Sequence, residues 1–235
     1  MYQLLDDTIV HRQSTNHPEL KYILEKTNSK ESDLFAQAIE IVKQHAASWK
    51  EHDQALIYVP SVGMCMELAR KVGWHHYVGH RETMSEAEWM REYTAWRRGQ
   101  DSTVMVATSA FSTGNDYPHV HLVLHVDKPF DMLEYVQAQG RSGHDGASAT
   151  CHTLVPSKTW KKSKKEDHLE QENEQAILDH LYLYGTKRCL HYGITSYTDG
   201  KGVGCLDDDL NERCSVCREN VEHRPRDIQM ATMPQ

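Results

Sequence analysis

The sequence contains no apolar run long enough to cross a membrane. Spanning a bilayer takes roughly 18 or more consecutive apolar residues, and the apolar runs in these 235 residues are all far shorter. Hydrophobic residues make up 39% of the chain and charged residues 26%, which is typical of a soluble globular protein. We therefore expect no membrane partner.

Basic residues are not in excess either. The chain has 26 Lys and Arg against 34 Asp and Glu, and its formal net charge is −8. Proteins that bind nucleic acid mainly by neutralising phosphates usually carry a basic excess on the contact face. Any contact with nucleic acid is therefore expected to be local.

The first residues lack the basic start and the apolar stretch of a secretory signal. We therefore expect a protein that is not secreted, with its six cysteines in a reducing compartment, where disulfides are rare. In such a compartment clustered cysteines indicate a metal site rather than disulfide bonds.

Short apolar runs alternate with helical patterns over about residues 30–156. Residues 32–49 have apolar side chains at helical spacing, and a capping box at Ser85–Glu88 begins another helix. Continuous apolar runs are typical of strands buried on both faces of a parallel sheet. The alternation predicts an α/β fold with ligand-binding loops at the carboxyl ends of the strands. The predicted strands are residues 55–59, 104–107, 122–126 and 150–155.

A polar run at the end of the helix predicted over residues 131–140 has the first chemically specific spacing. Gln137, Arg141 and His144 fall at i, i+4 and i+7, so on a continuous helix they would share one face. A guanidinium suits phosphate because its planar fork meets two oxygens at once. The run therefore predicts a face that contacts nucleotide phosphates; a surface helix ended by glycines is the alternative.

A second motif lies upstream, directly after a buried strand. Residues 106–118 read Val-Ala-Thr-Ser-Ala-Phe-Ser-Thr-Gly-Asn-Asp-Tyr-Pro. Together the two segments resemble helicase motifs V and VI, and their wording is most similar to the RecQ family. That family pairs Val-Ala-Thr-x-Ala-Phe, a later Pro-x-Val and an apolar strand ending in His with Gln-x-x-Gly-Arg-x-Gly-Arg-Asp-Gly. The corresponding residues here are Pro118, Val120, His125 and the run from Gln137.

The resemblance extends over about residues 14–217. Residues 15–22 look like the RecQ segment between the two motor lobes, and residues 55–61 look like motif IV. The chain is also similar to fungal RecQ-like helicases encoded near telomeres. The resemblance implies a RecA-like open, mostly parallel sheet with flanking helices, followed by a small helical zinc-binding subdomain. The implied parts are an interlobe linker (1–29), a helicase C-terminal lobe (30–156) and the zinc-binding subdomain (157–217). The residues that follow, 218–235, are expected to form a disordered tail.

The same resemblance implies the site residues. Backbone amides at a helix start and in tight turns favour anions, which suits contact with one DNA strand. For Ser61, helix capping explains the residue equally well. The expected DNA-binding residues are Ser61, Thr108, Ser109 and Thr113; those expected to bind nucleotide are Gly114, Asp116, Gln137 and Arg141; and Gln137, Arg141 and His144 are the expected catalytic residues.

Four cysteines after the predicted lobe supply a second signal. Cys189, Cys205, Cys214 and Cys217 have gaps of fifteen, eight and two residues, and the last pair is half of a zinc knuckle. RecQ proteins carry a structural four-cysteine zinc site at this place, and Zn²⁺ favours four thiolates in a tetrahedron. The middle gap is longer than the family's, so His191 is an alternative to Cys205 as ligand. Four unrelated reduced cysteines are the other interpretation.

The remaining cysteines, Cys65 and Cys151, lie in helical and strand patterns and are predicted core residues.

Two features of a working helicase are missing from the sequence. It contains no Gly-x-x-x-x-Gly-Lys-Ser/Thr phosphate cradle and no acidic motif to hold magnesium. ATP and Mg²⁺ are therefore expected only when a RecQ-type first motor lobe is supplied in cis or in trans. His144 also stands where the family has its second arginine. A finger arginine contributes about a thousand-fold or more in rate, and a neutral imidazole would supply far less.

We therefore expect the second motor lobe and zinc-binding segment of an ATP-dependent 3′–5′ DNA helicase of RecQ type, inactive alone. Its expected partners are single-stranded or forked DNA and a first motor lobe. We expect it in the nucleus if the source is eukaryotic and in the cytoplasm otherwise. The alternative is a non-catalytic DNA- or protein-binding module, the remnant of a degenerate helicase.

Overall fold

The structure, a computed structural model, describes residues 14–28, 31–79, 83–111, 117–158, 167–184 and 187–222. Within them, six strands form one parallel sheet in the order β1-β6-β5-β2-β4-β3. The strands are β1 Leu20–Thr27, β2 Gln54–Tyr58, β3 His75–Tyr77, β4 Val104–Ala107, β5 Val120–Val126 and β6 Ala149–Pro156. The helices are α1 Glu31–Ala46, α2 Val62–Val72, α3 Glu86–Arg97, α4 Met132–Gln139, α5 His168–Leu178, α6 Leu190–Asp199 and α7 Ser215–Glu222.

Both faces of the sheet are covered, as the continuous apolar runs predicted. Every residue of β2 and β4 is buried. Successive side chains of a strand point to opposite faces, so Leu56 and Tyr58 enter one apolar cluster while Ala55 and Ile57 enter the other. The predicted RecA-like α/β fold with a small helical subdomain is confirmed.

The predicted capping box at the start of α3 is present. The backbone N–H of Glu88 donates to Ser85 Oγ at 3.3 Å, and the backbone N–H of Ser85 donates to Glu88 Oε2 at 2.9 Å. These reciprocal bonds satisfy two helix donors that have no partner within the helix.

Strand β1 was not predicted, because its residues lie within the segment expected to be an interlobe linker. It pairs with β6 in parallel from Leu20 opposite Ala149 to Thr27 opposite Pro156. In its first half only alternate residues, Leu20 and Tyr22, are buried, and its second half is charged and partly exposed. The lobe therefore extends upstream of the expected boundary at residue 30.

The C-terminal subdomain, residues 167–222, packs against this edge strand. Helix α5 continues into a π-helical segment, Asp179–Tyr184. The hydroxyl of Ser215, at the start of α7, accepts a hydrogen bond from the N–H of Leu24 at 3.2 Å, and the His191 ring contacts the Tyr22 ring edge-on with centroids 4.6 Å apart. The subdomain thereby covers an edge that could otherwise pair with another chain.

Helix α7 ends at Glu222, past the expected boundary at residue 217. The rest of the expected tail, and the lysine-rich link at 161–165, lie outside the described residues. Of the helices that are described, none has the length and apolar character that crossing a bilayer requires.

Candidate functional site

The first candidate surface is the carboxyl edge of the sheet, where all parallel strands end together. Ser61 follows β2, and Thr108 and Ser109 follow β4, which is the neighbour of β2 in the sheet. The fold therefore brings these three predicted DNA-binding residues to one edge. Ser61 and Ser109 are exposed and Thr108 is half-buried.

Ser61 is the N-cap of α2. Its side chain accepts a hydrogen bond from the backbone N–H of Met64 at 3.2 Å, and its backbone is extended with φ −139°. Ser61 therefore caps the helix, as the alternative interpretation of this serine predicted. This capping is compatible with anion binding, because the positive end of the helix dipole lies at the same place.

The Thr108 loop is fixed by two backbone hydrogen bonds. The N–H of Thr108 donates to the carbonyl of Tyr77 at 3.2 Å, and its own carbonyl accepts from Phe111 at 3.1 Å, closing the 3₁₀ turn Ser109–Phe111. Gly79 is needed here, because a Cβ at this position would lie 2.4 Å from Ala110 Cβ. No motif in the sequence singled out this glycine.

Thr113, Gly114 and Asp116 lie outside the described residues. Their assignment to DNA and nucleotide contact stays a prediction.

The single helical face expected for Gln137, Arg141 and His144 is wrong. Helix α4 ends at Gln139 with Gly140 as its C-cap, so only Gln137 is helical and it is exposed. Arg141 and His144 lie on the loop of residues 140–148, which we call the motif VI loop. Ser142 Oγ donates to the carbonyl of Gln139 at 2.9 Å and takes the place of the next helical hydrogen bond.

The motif VI loop lies at the amino ends of the strands, away from the carboxyl edge. The N–H of Gly143 donates to the carbonyl of Val120, the first residue of β5, at 3.2 Å. Gly143 has φ +77°, and a Cβ there would lie 2.9 Å from Glu19 Cγ. The helix runs back across the sheet before the loop begins, so the general rule that ligand loops follow strands does not apply to Arg141.

Arg141 is half-buried and within electrostatic range of Tyr58, the buried last residue of β2. Burial raises the pKa of the Tyr58 phenol well above its usual range, and the positive charge of Arg141 opposes that shift. A partly desolvated guanidinium attracts an anion more strongly than an exposed one.

His144 is exposed, and its ring bonds back to its own loop. Its Nε2 lies 2.7 Å from the carbonyl oxygen of Gly140, a geometry that caps the end of α4. The next residue, Asp145, lies 3.3 Å from Nε2 of His121, which also lies 3.5 Å from Asp53. His121 thus ties the loop to the amino ends of β2 and β5, and nothing in the sequence pattern singled it out.

The four predicted metal ligands come together in the C-terminal subdomain. The sulfur atoms of Cys189, Cys205, Cys214 and Cys217 all lie within 4.8 Å of one another. A tetrahedral site with metal–sulfur bonds of about 2.3 Å places its sulfurs about 3.8 Å apart. The group can therefore hold a metal ion.

Backbone N–H groups support the charged form of these sulfurs. The N–H groups of Leu190, Cys205 and Cys214 donate to sulfurs of the cluster at 3.4, 3.2 and 3.3 Å. The hydrogen bond between Cys189 and Cys205 lowers the pKa of Cys189 to about 6, and hydrogen bonds with the neighbouring cysteines, Cys189 first, hold the pKa of Cys214 well below its usual range. Hydrogen bonds within the same cluster, with Cys189 first, raise the pKa of Cys205 and of Cys217. Thiolates packed this closely need a cation to offset their repulsion.

Cys205, and not His191, completes the cluster among the described residues. The long segment between Cys205 and Cys214 folds back on itself, because the side chain of Asn211 donates to the carbonyl of Gly204 at 3.0 Å and Asp207 accepts from the N–H of Gly204 at 2.6 Å. The unusual gap is thereby accommodated within a compact loop.

Cys65 and Cys151 are buried in the lobe, as predicted, and burial raises the pKa of each thiol to about 12.

Residues 12–146, more than half of the chain, match the family described as the helicase conserved C-terminal domain. The chain belongs to this family. It is 46% identical over 72 residues to the human ATP-dependent DNA helicase Q4, covering 31% of this chain and 6% of that protein. It is 34% identical over 116 residues to the ATP-dependent DNA helicase RecQ of Synechocystis, covering 46% of this chain and 23% of that protein. The lobe is thus a helicase C-terminal lobe that is similar to those of RecQ-type DNA helicases.

The solved structure of S. cerevisiae Dbp5 bound to RNA and ADP BeF3 shares the fold of this helicase lobe, with a TM-score of 0.52 at 19% identity. The match covers 71% of this chain and 40% of that one. The matched part of the helicase chain spans less than a quarter of the length of these two curated relatives.

Proposed function

We propose that this chain is the second motor lobe of an ATP-dependent 3′–5′ DNA helicase, held together by a structural zinc site and active only with a first motor lobe. One observation supports the proposal: two groups of polar residues of the kind that binds phosphate lie at opposite ends of one sheet. Ser61, Thr108 and Ser109 lie at the carboxyl edge, and Arg141 lies in the motif VI loop at the amino ends. In a two-lobe motor, closure of the lobes on the nucleotide moves the surface that contacts the DNA strand. The nucleotide and the strand therefore need separate surfaces.

The nucleotide surface is half of a site. Arg141 offers a planar fork for phosphate oxygens, and the exposed amide of Gln137 is a second donor on the adjoining helix. These residues offer no cradle for the β and γ phosphates and no acidic pair for magnesium. ATP and Mg²⁺ therefore bind productively only when a first lobe supplies those groups, in cis or in trans. The assignment of Gly114 and Asp116 to this surface rests on the resemblance of their motif.

The strand surface suits a single DNA strand or the single-stranded arm of a fork. Hydroxyls and backbone amides at the starts of α2 and the 3₁₀ turn are neutral donors, so they contact phosphates without a basic patch. With a formal net charge of −8, the contact should be weak and should fall further with salt. Thr113 is assigned to DNA contact by the resemblance of its motif.

The cysteine cluster fits zinc. It consists of four thiols whose sulfurs all lie within 4.8 Å of one another, three backbone N–H donors serve its sulfurs, and Cys205, Cys214 and Cys217 are buried. Four protein ligands leave no open position for substrate, so zinc would supply a structural cross-link rather than chemistry. That cross-link joins the start of α6 to the start of α7, the helix that covers β1.

A non-catalytic DNA- or protein-binding module is the second candidate, and His144 favours it. Its Nε2 lies on the Gly140 carbonyl at 2.7 Å, which serves the loop rather than a phosphate. A lobe that has lost its second arginine could keep the strand surface while losing fast hydrolysis.

The test is to fuse a RecQ-type first lobe ahead of about Thr15 and to measure DNA-stimulated ATP hydrolysis. The helicase proposal expects turnover from the fusion and none from the 235-residue chain alone. A folded, zinc-loaded fusion that binds single-stranded DNA yet never hydrolyses ATP would favour the non-catalytic module.

A further inference from the structure

Phe130 is an exposed aromatic side chain at the carboxyl edge of the sheet. It lies in the short loop between β5, which ends at Val126, and α4, which begins at Met132. Its side chain is 59% exposed, and it is the sole aromatic among the large hydrophobic side chains that are exposed in the described part of the chain. The buried Pro129 before it restricts the backbone and fixes where the ring emerges.

The Phe130 loop is next to the strand surface. β5 is the neighbour of β2 in the sheet, so this loop emerges beside the one that carries Ser61. Phe130, Pro60 and Ser109 line one small cavity of about 40 Å³. The exposed ring therefore adjoins the groups proposed to contact the DNA backbone.

A buried histidine lines the back of the same cavity. His125 is 3% exposed, and neither of its ring nitrogens has a hydrogen-bond partner among the described residues. It stacks on Tyr58 at 5.3 Å and packs against Tyr135 at 4.9 Å, so its ring cannot turn elsewhere. Burial lowers the pKa of His125 to about 3, so at physiological pH the ring offers one donor and one acceptor.

Acidic side chains outnumber basic ones in the loop that carries Phe130, where Lys128 is paired with Glu174. Asp127 and Asp131 belong to the same loop, and each accepts a backbone N–H, from Lys128 at 2.7 Å and from Glu134 at 2.8 Å. Carboxylates held in this way repel a phosphodiester. A strand bound at Ser61 and Ser109 must therefore keep its backbone away from this loop and turn its bases toward it.

We propose that Phe130 is a stacking platform for one base of the single strand bound at the carboxyl edge, with the cavity behind it receiving one polar group from that base's edge. The inference rests on the proposed function. Every base has a π-face, so stacking tolerates any sequence. It also supplies affinity without positive charge, which suits a chain with a formal net charge of −8. A cavity of about 40 Å³ has room for a small polar group.

The test uses the full, zinc-loaded chain and an oligo-dT of about 12 nucleotides that carries one 2-aminopurine. Binding is followed by fluorescence anisotropy at low salt, and stacking by quenching of the 2-aminopurine. The variants are Phe130→Ala and Phe130→Tyr, with Leu133→Ala as matched control, because Leu133 is also apolar and 49% exposed but is not among the residues that line the cavity.

Phe130→Ala should weaken binding by about five-fold or more and abolish the quenching, whereas Phe130→Tyr and Leu133→Ala should resemble the parent. An abasic nucleotide at the stacked position should remove the difference between parent and Phe130→Ala. Equal affinity and equal quenching for parent and Phe130→Ala would overturn the stacking role alone. If the parent itself binds no single-stranded DNA, the proposed strand surface fails and the stacking role fails with it.

Discussion

The ammonium of Lys128 lies 2.9 Å from the carboxylate of Glu174, in an ion pair that joins the carboxyl edge of the sheet to helix α5. The side chains are 16% and 3% exposed. Lys128 stands two residues before Phe130, so the pair links the proposed strand surface to the C-terminal subdomain.

Breaking this pair from one side should destabilise the protein. Lys128→Met leaves the Glu174 carboxylate buried without its cation, and we expect a loss of about 3 kcal/mol in the free energy of unfolding. The double variant Lys128→Met with Glu174→Leu should recover much of that loss, because it removes both charges. Urea denaturation of the three proteins measures the effect; a single variant as stable as the parent would show that the pair contributes little.

The metal prediction concerns the four cysteines. Elemental analysis of protein purified without chelator should give about one zinc per chain, since structural thiolate sites bind tightly. Cys205→Ser and Cys214→Ser should lose the metal and unfold at lower temperature. His191→Gln should keep it.

A zinc content below about half an equivalent in the parent would contradict the assignment. Full zinc content in Cys205→Ser together with loss of zinc in His191→Gln would show that His191, and not Cys205, is the second ligand. Cys65→Ala, far from the cluster in the lobe core, is the control for loss of a buried thiol.

Two glycines of the motif VI loop allow the cost of a left-handed backbone to be measured apart from the cost of a steric clash. Gly143 and Gly146 have φ +77° and +76°, but a Cβ at 143 would lie 2.9 Å from Glu19 whereas one at 146 meets nothing within 4 Å. Gly146→Ala should cost about 1 kcal/mol for the left-handed backbone alone, and Gly143→Ala should cost clearly more. Equal melting temperatures for the two variants would mean that the loop is not held against β1.

The sequence predicted the strands whose residues are buried on both faces of the sheet. Strands β2, β4, β5 and most of β6 were predictable from continuous apolar runs, and Cys65 and Cys151 from the patterns around them. Strand β1 was not, because an edge strand that mixes Leu20 and Tyr22 with charged residues lacks such a run.

The candidate site was only partly predictable, because its geometry depends on tertiary contacts. The spacing of Gln137, Arg141 and His144 suggested one helical face, yet Gly140 and the Ser142 side chain end the helix between them. The spacing of the cysteines alone left His191 as an alternative to Cys205. Cys205 reaches the cluster because Asn211 and Asp207 fold the intervening loop, which no local pattern indicates.

His144 can be tested in the fusion with a first lobe. His144→Arg should raise DNA-stimulated turnover by about ten-fold or more, within the range that a finger arginine contributes, with little change in nucleotide affinity. The added charge acts mainly where the transition state is more negative than the ground state. Arg141→Ala should abolish that gain. If His144 serves only to cap Gly140, the arginine variant will show the parent's turnover and a small change in stability.

The proposal that Arg141 contacts the nucleotide is tested most directly by the steady-state ATPase rate of the fused protein, with and without single-stranded DNA. The rate is measured for the parent, Arg141→Ala and Arg70→Ala. Arg70 lies exposed on α2 and controls for the loss of one positive charge. We predict DNA-stimulated turnover in the parent and in Arg70→Ala, and a fall of about a hundred-fold or more in Arg141→Ala. Equal rates for Arg141→Ala and Arg70→Ala in folded proteins would contradict the placement of Arg141 at the nucleotide.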